Sequence, residues 1–222
     1  MQRQFAKAIE NLKDTILQMG DATLIALQNA NKSFLTRDNR LANQVIVTDE
    51  TINKLEIAID NHVLDLLALQ QPVAVDLRLI LASYSICSDF ERIGDHAVNI
   101  AQSAINVANL DGCHDYLTIP EMMEITERML VNAVESFRDM IATLAEEVLR
   151  SDDEADECNR QITKQVIEAI KAQPNHTECG LEIIRVSKNL ERVSDLATNI
   201  AEEVLFYLQA RNVKHHYEDT NE

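Results

Sequence analysis

Two pairs of carboxylates are the residues most able to do chemistry in this sequence. Glu91 precedes Asp95 by four positions, and Glu191 precedes Asp195 by four, one hundred residues further on. On a helix this spacing places both acids of a pair on one face, where like charges cost about 0.2–0.5 kcal/mol. Each pair therefore calls for compensation, from a bound cation or from a neighbouring base such as Arg92. Several carboxylates without a cysteine or an obvious histidine partner form a hard, oxygen-rich donor set. Such a set suits Mg, Ca, Mn or oxidised Fe better than a metal that prefers thiolate. The competing reading is a solvated helix face with arginine counter-ions, the ordinary meaning of a single E-x-x-x-D.

The pairs belong to two copies of one segment. Residues 88–101 read SDFERIGDHAVNIA and residues 188–201 read KNLERVSDLATNIA. Ile86, Ile93, Ile100 and Val107 repeat every seventh residue with Phe90, Ala97 and Ala104 between them; Val186, Val193, Ile200 and Tyr207, with Leu190, Ala197 and Val204, repeat the scheme. Each copy is an amphipathic helix whose line of Glu, Asp and Asn faces away from the apolar seam. A long-period repeat of this kind marks two copies of one supersecondary unit.

The elements that must position these acids follow from periodicity and punctuation. Phe5, Ile9, Leu12, Ile16 and Met19 begin a first helix that runs through Gly20 towards Phe34. Thr36-Arg37-Asp38-Asn39 breaks the pattern and supplies capping side chains for a second helix that ends near Gln70. Pro72 suits the first turn of the third helix. Asp111-Gly112-Cys113-His114-Asp115 has the character of a connection, and Thr118-Ile119-Pro120-Glu121 of a fresh helix start. The boundaries are thus 1–110 for the first three-helix repeat, 111–118 for a linker, 119–213 for the second repeat and 214–222 for a polar tail. Helix five has two candidate capping boxes, Thr143-x-x-Glu146 and Ser151-x-x-Glu154. Setting Leu41 and Val45 opposite Leu144 and Val148 selects a start around Thr143. It ends before Gln173-Pro174, and helix six runs from about Thr177 to Arg211.

The same alignment sets Asp49 and Asn53 on helix two against Asp152 and Asp156 on helix five. Glu56 and Asp60 lie on nearly the same face as Asp49 and Asn53 and are placed to support that patch as hydrogen-bond partners of its ligands. Packing helix three beside helix two, and six beside five, gathers one acidic patch per repeat: Glu91 and Asp95 with Asp49 and Asn53, and Glu191 and Asp195 with Asp152 and Asp156. Asn53 leaves the first patch one acid short. Asn99 and Asn199, four residues beyond Asp95 and Asp195, are either ligands, hydrogen-bond partners of ligands, or helix–helix contacts. His96 has no counterpart, Leu196 standing in its place, and reads as surface.

With Gln71-Pro72-Val73-Ala74-Val75-Asp76-Leu77-Arg78 leading into the first copy, this duplicated segment resembles the PhoU family of phosphate-signalling proteins. The resemblance covers nearly the whole chain. It implies an all-α fold of two tandem three-helix repeats, whose E(D)xxxD motifs bind metal clusters in some members. Here those motifs are Glu91 to Asp95 and Glu191 to Asp195, with Fe, Mn, Mg or Zn as candidate ions. It also implies a non-enzymatic, negative regulator of phosphate uptake and phosphate-starvation signalling. The implied partners are the phosphate transporter ATPase PstB, the sensor kinase PhoR and a second copy of the chain.

Composition narrows the classes further. Four glycines and three prolines in 222 residues leave little room for turn-rich β structure and favour few, short connections. A formal charge of −17 argues against nucleic acid as a partner, since phosphate neutralisation needs clustered Lys and Arg. Cations and basic protein surfaces fit it better. The four cysteines stand singly without C-x-x-C spacing, the pattern of reduced thiols in a cytoplasmic protein. No stretch is apolar enough to span a bilayer, so membrane contact is expected only through partners. A di-metal carboxylate oxidase on a helical bundle is the enzymatic alternative, but such bundles use Glu-x-x-His, and no histidine here follows a glutamate by three. A metal-free helical scaffold is the third reading.

Overall fold

The computed structural model describes residues 2–70, 72, 74–108, 110 and 118–210. The polar tail and the connection expected over 111–118 lie outside the described residues, except Thr118, which already opens a helix. Six helices account for nearly everything described: α1 (Gln2–Thr36), α2 (Asn39–Gln70), α3 (Val75–Val107), α4 (Thr118–Asp139), α5 (Ala142–Ala172) and α6 (Thr177–Gln209). No strand occurs among the described residues. Pro72 precedes α3 without belonging to its first turn, whereas Pro174 begins a short 3-10 turn, Pro174–His176, ahead of α6. Helix six stops at Gln209 because Ala210 turns left-handed at φ 54°.

The first connection in each repeat shows how closely one copy imitates the other. Arg37 and Met140, 103 positions apart, both take left-handed backbone at φ 55° and 56°. After them Asp38 N–H donates to Ser33 O at 3.0 Å and Ile141 N–H donates to Ser136 O at 3.1 Å, the closure of a Schellman-type helix end. Ser33 and Ser136 each donate a hydroxyl to the carbonyl three residues back, at 2.7 Å. The following caps differ. Asp38 accepts from the N–H groups of Arg40 at 2.9 Å and Leu41 at 3.1 Å, as its place in the sequence predicts. Ile141 caps α5 with no side-chain bond, and Thr143 lies inside the helix, so neither capping box opens α5.

Each repeat is a three-helix bundle, α1 and α2 packing with α3, and α4 and α5 with α6. The bundles are not separate. Helices α3 and α6 pack along each other, α1 meets α4, and the buried residues form one continuous core. Phe90 of α3 is buried against Gly20 of α1, where a Cβ would stand 2.9 Å from the ring Cζ and 3.3 Å from Val134 of α4. Gly20 costs α1 about 1 kcal/mol in helix propensity, and what it provides is the space for this ring. Asn31 donates to Glu127 at 2.7 Å and Arg138 pairs with Asp21, so the α1–α4 contact is polar at its edges. Helices α3 and α6, which carry the duplicated motifs, are therefore the inner pair of the molecule.

Two acidic faces flanking an inner cleft

The first acidic face lies between α2 and α3. Gly94 lets these helices close up: a Cβ there would meet Ile52 Cδ1 at 3.0 Å and Asp49 Oδ1 at 3.2 Å. Asp49 is thereby brought beside the Glu91–Asp95 pair. Burial holds the Asp49 carboxyl above its ordinary range, opposed by a hydrogen bond from Asn53 Nδ2 at 3.1 Å and reinforced by Asp95. Glu91 is pushed up by burial and then by Asp95, Glu56 and Asp49, with Arg92 acting the other way. Glu56 is pushed up by burial, Asp60 and Asp95. Among the described residues none of Asp49, Glu56, Glu91 and Asp95 makes an ion pair within 4 Å.

The second face lies between α5 and α6 and is electrostatically tighter. Asp152 is driven up to about 6, by burial and then by Asp195, Asp156, Asp153 and Glu191. Asp195 is raised by burial, Glu191 and Asp156, against Lys188 and Arg192. Two of its acids already have basic partners: Arg160 reaches Asp156 at 3.6 Å, and Lys188 pairs with Glu191.

The eight residues expected to form the two patches lie on these two helix pairs. The difference concerns the supporting residues. Glu56, expected only in support, belongs to the first face itself, so that face also carries four carboxylates despite Asn53. The position matching Glu56 in repeat two is Asn159, which accepts from Ser187 Oγ at 2.7 Å. Ser187 in turn matches Cys87. The first repeat therefore keeps a thiol and a glutamate where the second keeps a neutral hydrogen bond. Cys87 is buried under the acidic face and its thiol is pushed up to about 12, by burial and then by Asp60, Glu56 and Glu91. Cysteine count and spacing gave no signal of this, because only the packing of α2 on α3 puts the thiol there. Cys87 and Cys158 are free, but Cys179 is disulfide-bonded, against the expectation of reduced thiols throughout.

The asparagines and His96 behave differently from the acids. Asn199 lines a cleft of about 340 Å³ between α3 and α6, together with Arg92, His96 and Arg192. Asn99 is half-buried. His96 is not a surface residue: it is half-buried, with Nδ1 2.9 Å from Asn189 Oδ1 on α6, and burial lowers its proton affinity. It is therefore turned to the cleft and adds no nitrogen ligand to an acidic face.

The donor chemistry fits a hard cation. Four carboxylates per face, with Asp49, Glu56, Glu91, Asp152 and Asp195 held up by burial and by facing acids, are what a divalent or trivalent ion relieves. Among the described residues no three Asp, Glu, His or Cys side chains converge closely enough to enclose an ion as they stand. Binding therefore requires side-chain rotamers to close on the ion.

Comparison with known proteins agrees with this architecture. The PhoU domain matches residues 16–104 and 119–204. The chain is 33% identical over 211 residues to the phosphate-specific transport system accessory protein PhoU homolog of Aquifex aeolicus, covering 95% of this chain and 96% of that protein. It is 30% identical over 214 residues to the homolog from Pseudomonas aeruginosa, covering 96% and 88%. The crystal structure of PhoU from Pseudomonas aeruginosa superposes with a TM-score of 0.90 at 29% identity, over 93% of this chain and all of that one. That of the phosphate transport system regulatory protein PhoU from Streptococcus pneumoniae gives 0.87 at 26% identity, over 95% and 99%.

Proposed function

The chain belongs to the PhoU domain family, and from that premise we propose that it is a non-enzymatic, cation-binding accessory protein that restrains phosphate uptake and phosphate-starvation signalling. The observation that carries the cation part is the raised proton affinity of Asp49, Glu56, Glu91, Asp152 and Asp195, which on both faces comes from burial and from facing carboxylates. Asp49, Glu56, Glu91 and Asp95 would hold one ion or small cluster, and Asp152, Asp156, Glu191 and Asp195 another. Mg, Mn, Fe and Zn are the candidates. A bound ion turns repulsion between helices into attraction, so it ties α2 to α3 and α5 to α6. The role assigned to it is to fix the shape of a docking surface.

The regulatory part rests on the relatives, which are named as accessory or regulatory proteins of phosphate transport. The partners that fit it are the transporter ATPase and the sensor kinase, with a homodimer as the assembled form, in the cytoplasm. None of the described helices is long and apolar enough to cross a membrane, so contact with the transporter would come through its membrane-peripheral parts.

The test has two arms. Thermal denaturation in the presence of Mg, Mn, Fe or Zn should give a melting temperature that rises with ion concentration, because an ion that binds only the folded state stabilises it by RT ln(1 + [L]/Kd). A melting curve indifferent to all four removes the cation. Co-purification from cells grown with and without phosphate should retrieve the ATPase or the kinase in a phosphate-dependent manner; retrieval of neither removes the adaptor role. Sedimentation equilibrium giving only the monomer mass at all practical concentrations would remove the homodimer.

A further inference from the structure

The cleft between α3 and α6 borders the second acidic face, sharing Glu191 and Asp195 with it, and gathers basic side chains as well. In a chain with 37 acidic and 20 basic residues, it collects Arg92 from one repeat with Lys188 and Arg192 from the other. Arg92 and Arg192 occupy the same motif position, directly after Glu91 and Glu191. Packing α3 along α6 therefore brings two copies of one arginine to a single cavity. Both arginines act on the half-buried His96 ring, opposed by Asp95, which places all three charges at the same locality.

We propose that this cleft binds a small multivalent oxyanion, of the phosphate or sulfate class, between Arg92 and Arg192 with Lys188 at its edge. Four observations carry it. The cavity, about 340 Å³, is ample for a tetrahedral anion with its water. Arg192 makes no ion pair within 4 Å among the described residues, and Arg92 reaches Asp89 only at 3.7 Å with its side chain 56% exposed. Guanidinium groups from α3 and from α6 line the one cavity, and a planar fork suits the oxygens of a tetrahedral anion through paired charge-assisted hydrogen bonds. Glu191, one of the two carboxylates on the lining, is already paired with Lys188. Asp195 on the lining and Asp95 and Asp89 beside it oppose the anion, while the lining itself holds three cations against two carboxylates. A cation on the α5–α6 face would ease that opposition, yet the two guanidinium groups line the cavity without one. The inference therefore stands apart from the cation reading.

The test is isothermal titration of inorganic phosphate into the full chain, freed of metal on a chelating resin and held at constant ionic strength with chloride. Side-chain Nε–H resonances of Arg92 and Arg192 are followed by NMR in parallel. Saturable one-to-one binding is expected, with both arginine signals shifting together. Arg92→Gln and Arg192→Gln should each weaken it about tenfold, the usual scale of one lost charge-assisted bond pair. Arg92→Lys and Arg192→Lys, which keep the charge but lose the fork, should weaken it less. Both arginines are exposed, so circular dichroism and melting temperature should match the wild type. Absence of saturable binding, or unchanged affinity in the doubly substituted Arg92→Gln, Arg192→Gln chain, would overturn the proposal. Because metal is removed throughout, failure here leaves the acidic faces untouched, and failure of the metal titration leaves this cleft untouched.

Discussion

His96 Nδ1 lies 2.9 Å from Asn189 Oδ1, a side-chain hydrogen bond that joins the two motif-bearing helices. Asn189 Nδ2 already donates to Arg185 O at 2.7 Å, which leaves Oδ1 as the acceptor and assigns the hydrogen to His96 Nδ1. Leu196 takes the place of a second histidine, so the repeat is asymmetric here. His96→Ala and Asn189→Ala should each destabilise the protein by about 0.5–1.5 kcal/mol, and the double substitution should cost less than their sum. Urea denaturation of the four chains in the cycle checks this. Strict additivity would mean that the bond does not couple α3 to α6.

Gly20→Ala sets two effects against each other. Alanine gains about 1 kcal/mol in helix propensity. Against this, its Cβ would sit 2.9 Å from Phe90 Cζ in a site where Phe90 is 1% exposed, and overpacking a core of that kind costs about 1–3 kcal/mol. The net expectation is destabilisation, with Phe90→Leu in the same chain recovering part of the loss. Equilibrium unfolding gives the sign, and a more stable Gly20→Ala chain would show that the ring has room to move.

Asp152 gives the protein a pH dependence in the absence of cations. Its carboxyl is raised from 3.8 to about 6, so the folded state holds the proton more tightly than the unfolded chain does. The contribution to stability is full below the unfolded value and is lost as pH rises through about 6. Asp152→Asn removes this loss. In chelator-treated protein the variant should gain on the wild type between about pH 4 and 6 and stay more stable at pH 7. Denaturation midpoints across that window measure the difference, and a constant difference would contradict the assignment. Added Mg or Mn should shrink the advantage of the variant, since the cation compensates the same four carboxylates.

Glu56 separates the acidic face seen in the fold from the one read along the chain. Glu56→Gln should reduce the metal-dependent stabilisation by as much as Asp95→Asn, by about 1 kcal/mol or more if one ligand is lost. Asn53→Asp should increase it. On the other face Asp195→Asn should reduce it more than either, because Asp152 there is the most strongly perturbed carboxylate. Metal titrations followed by thermal melting decide the order. A Glu56→Gln chain with the full wild-type response would return Glu56 to a bystander role.

Much of this molecule is determined by sequence because it is determined within single helices. About 100° of rotation per residue fixes which side chains of α3 share the seam of Phe90, Ile93 and Ala97 and which share the line of Glu91 and Asp95, whatever surrounds them. Local chemistry likewise fixes the Asp38 cap. The offset of 103 that aligns Asp49 with Asp152 recurs in the left-handed turns at Arg37 and Met140. What the sequence does not determine is which row of one helix meets which row of another. That depends on the axial register and closeness of neighbouring helices, set by contacts such as Gly94 on Ile52 and Gly20 on Phe90. Those contacts join residues distant along the chain, and no periodicity within one helix encodes them. They bring Glu56 into the first acidic face, bury Cys87 beneath it, turn His96 towards Asn189, and bring Arg92 and Arg192 to one cleft from positions one hundred residues apart.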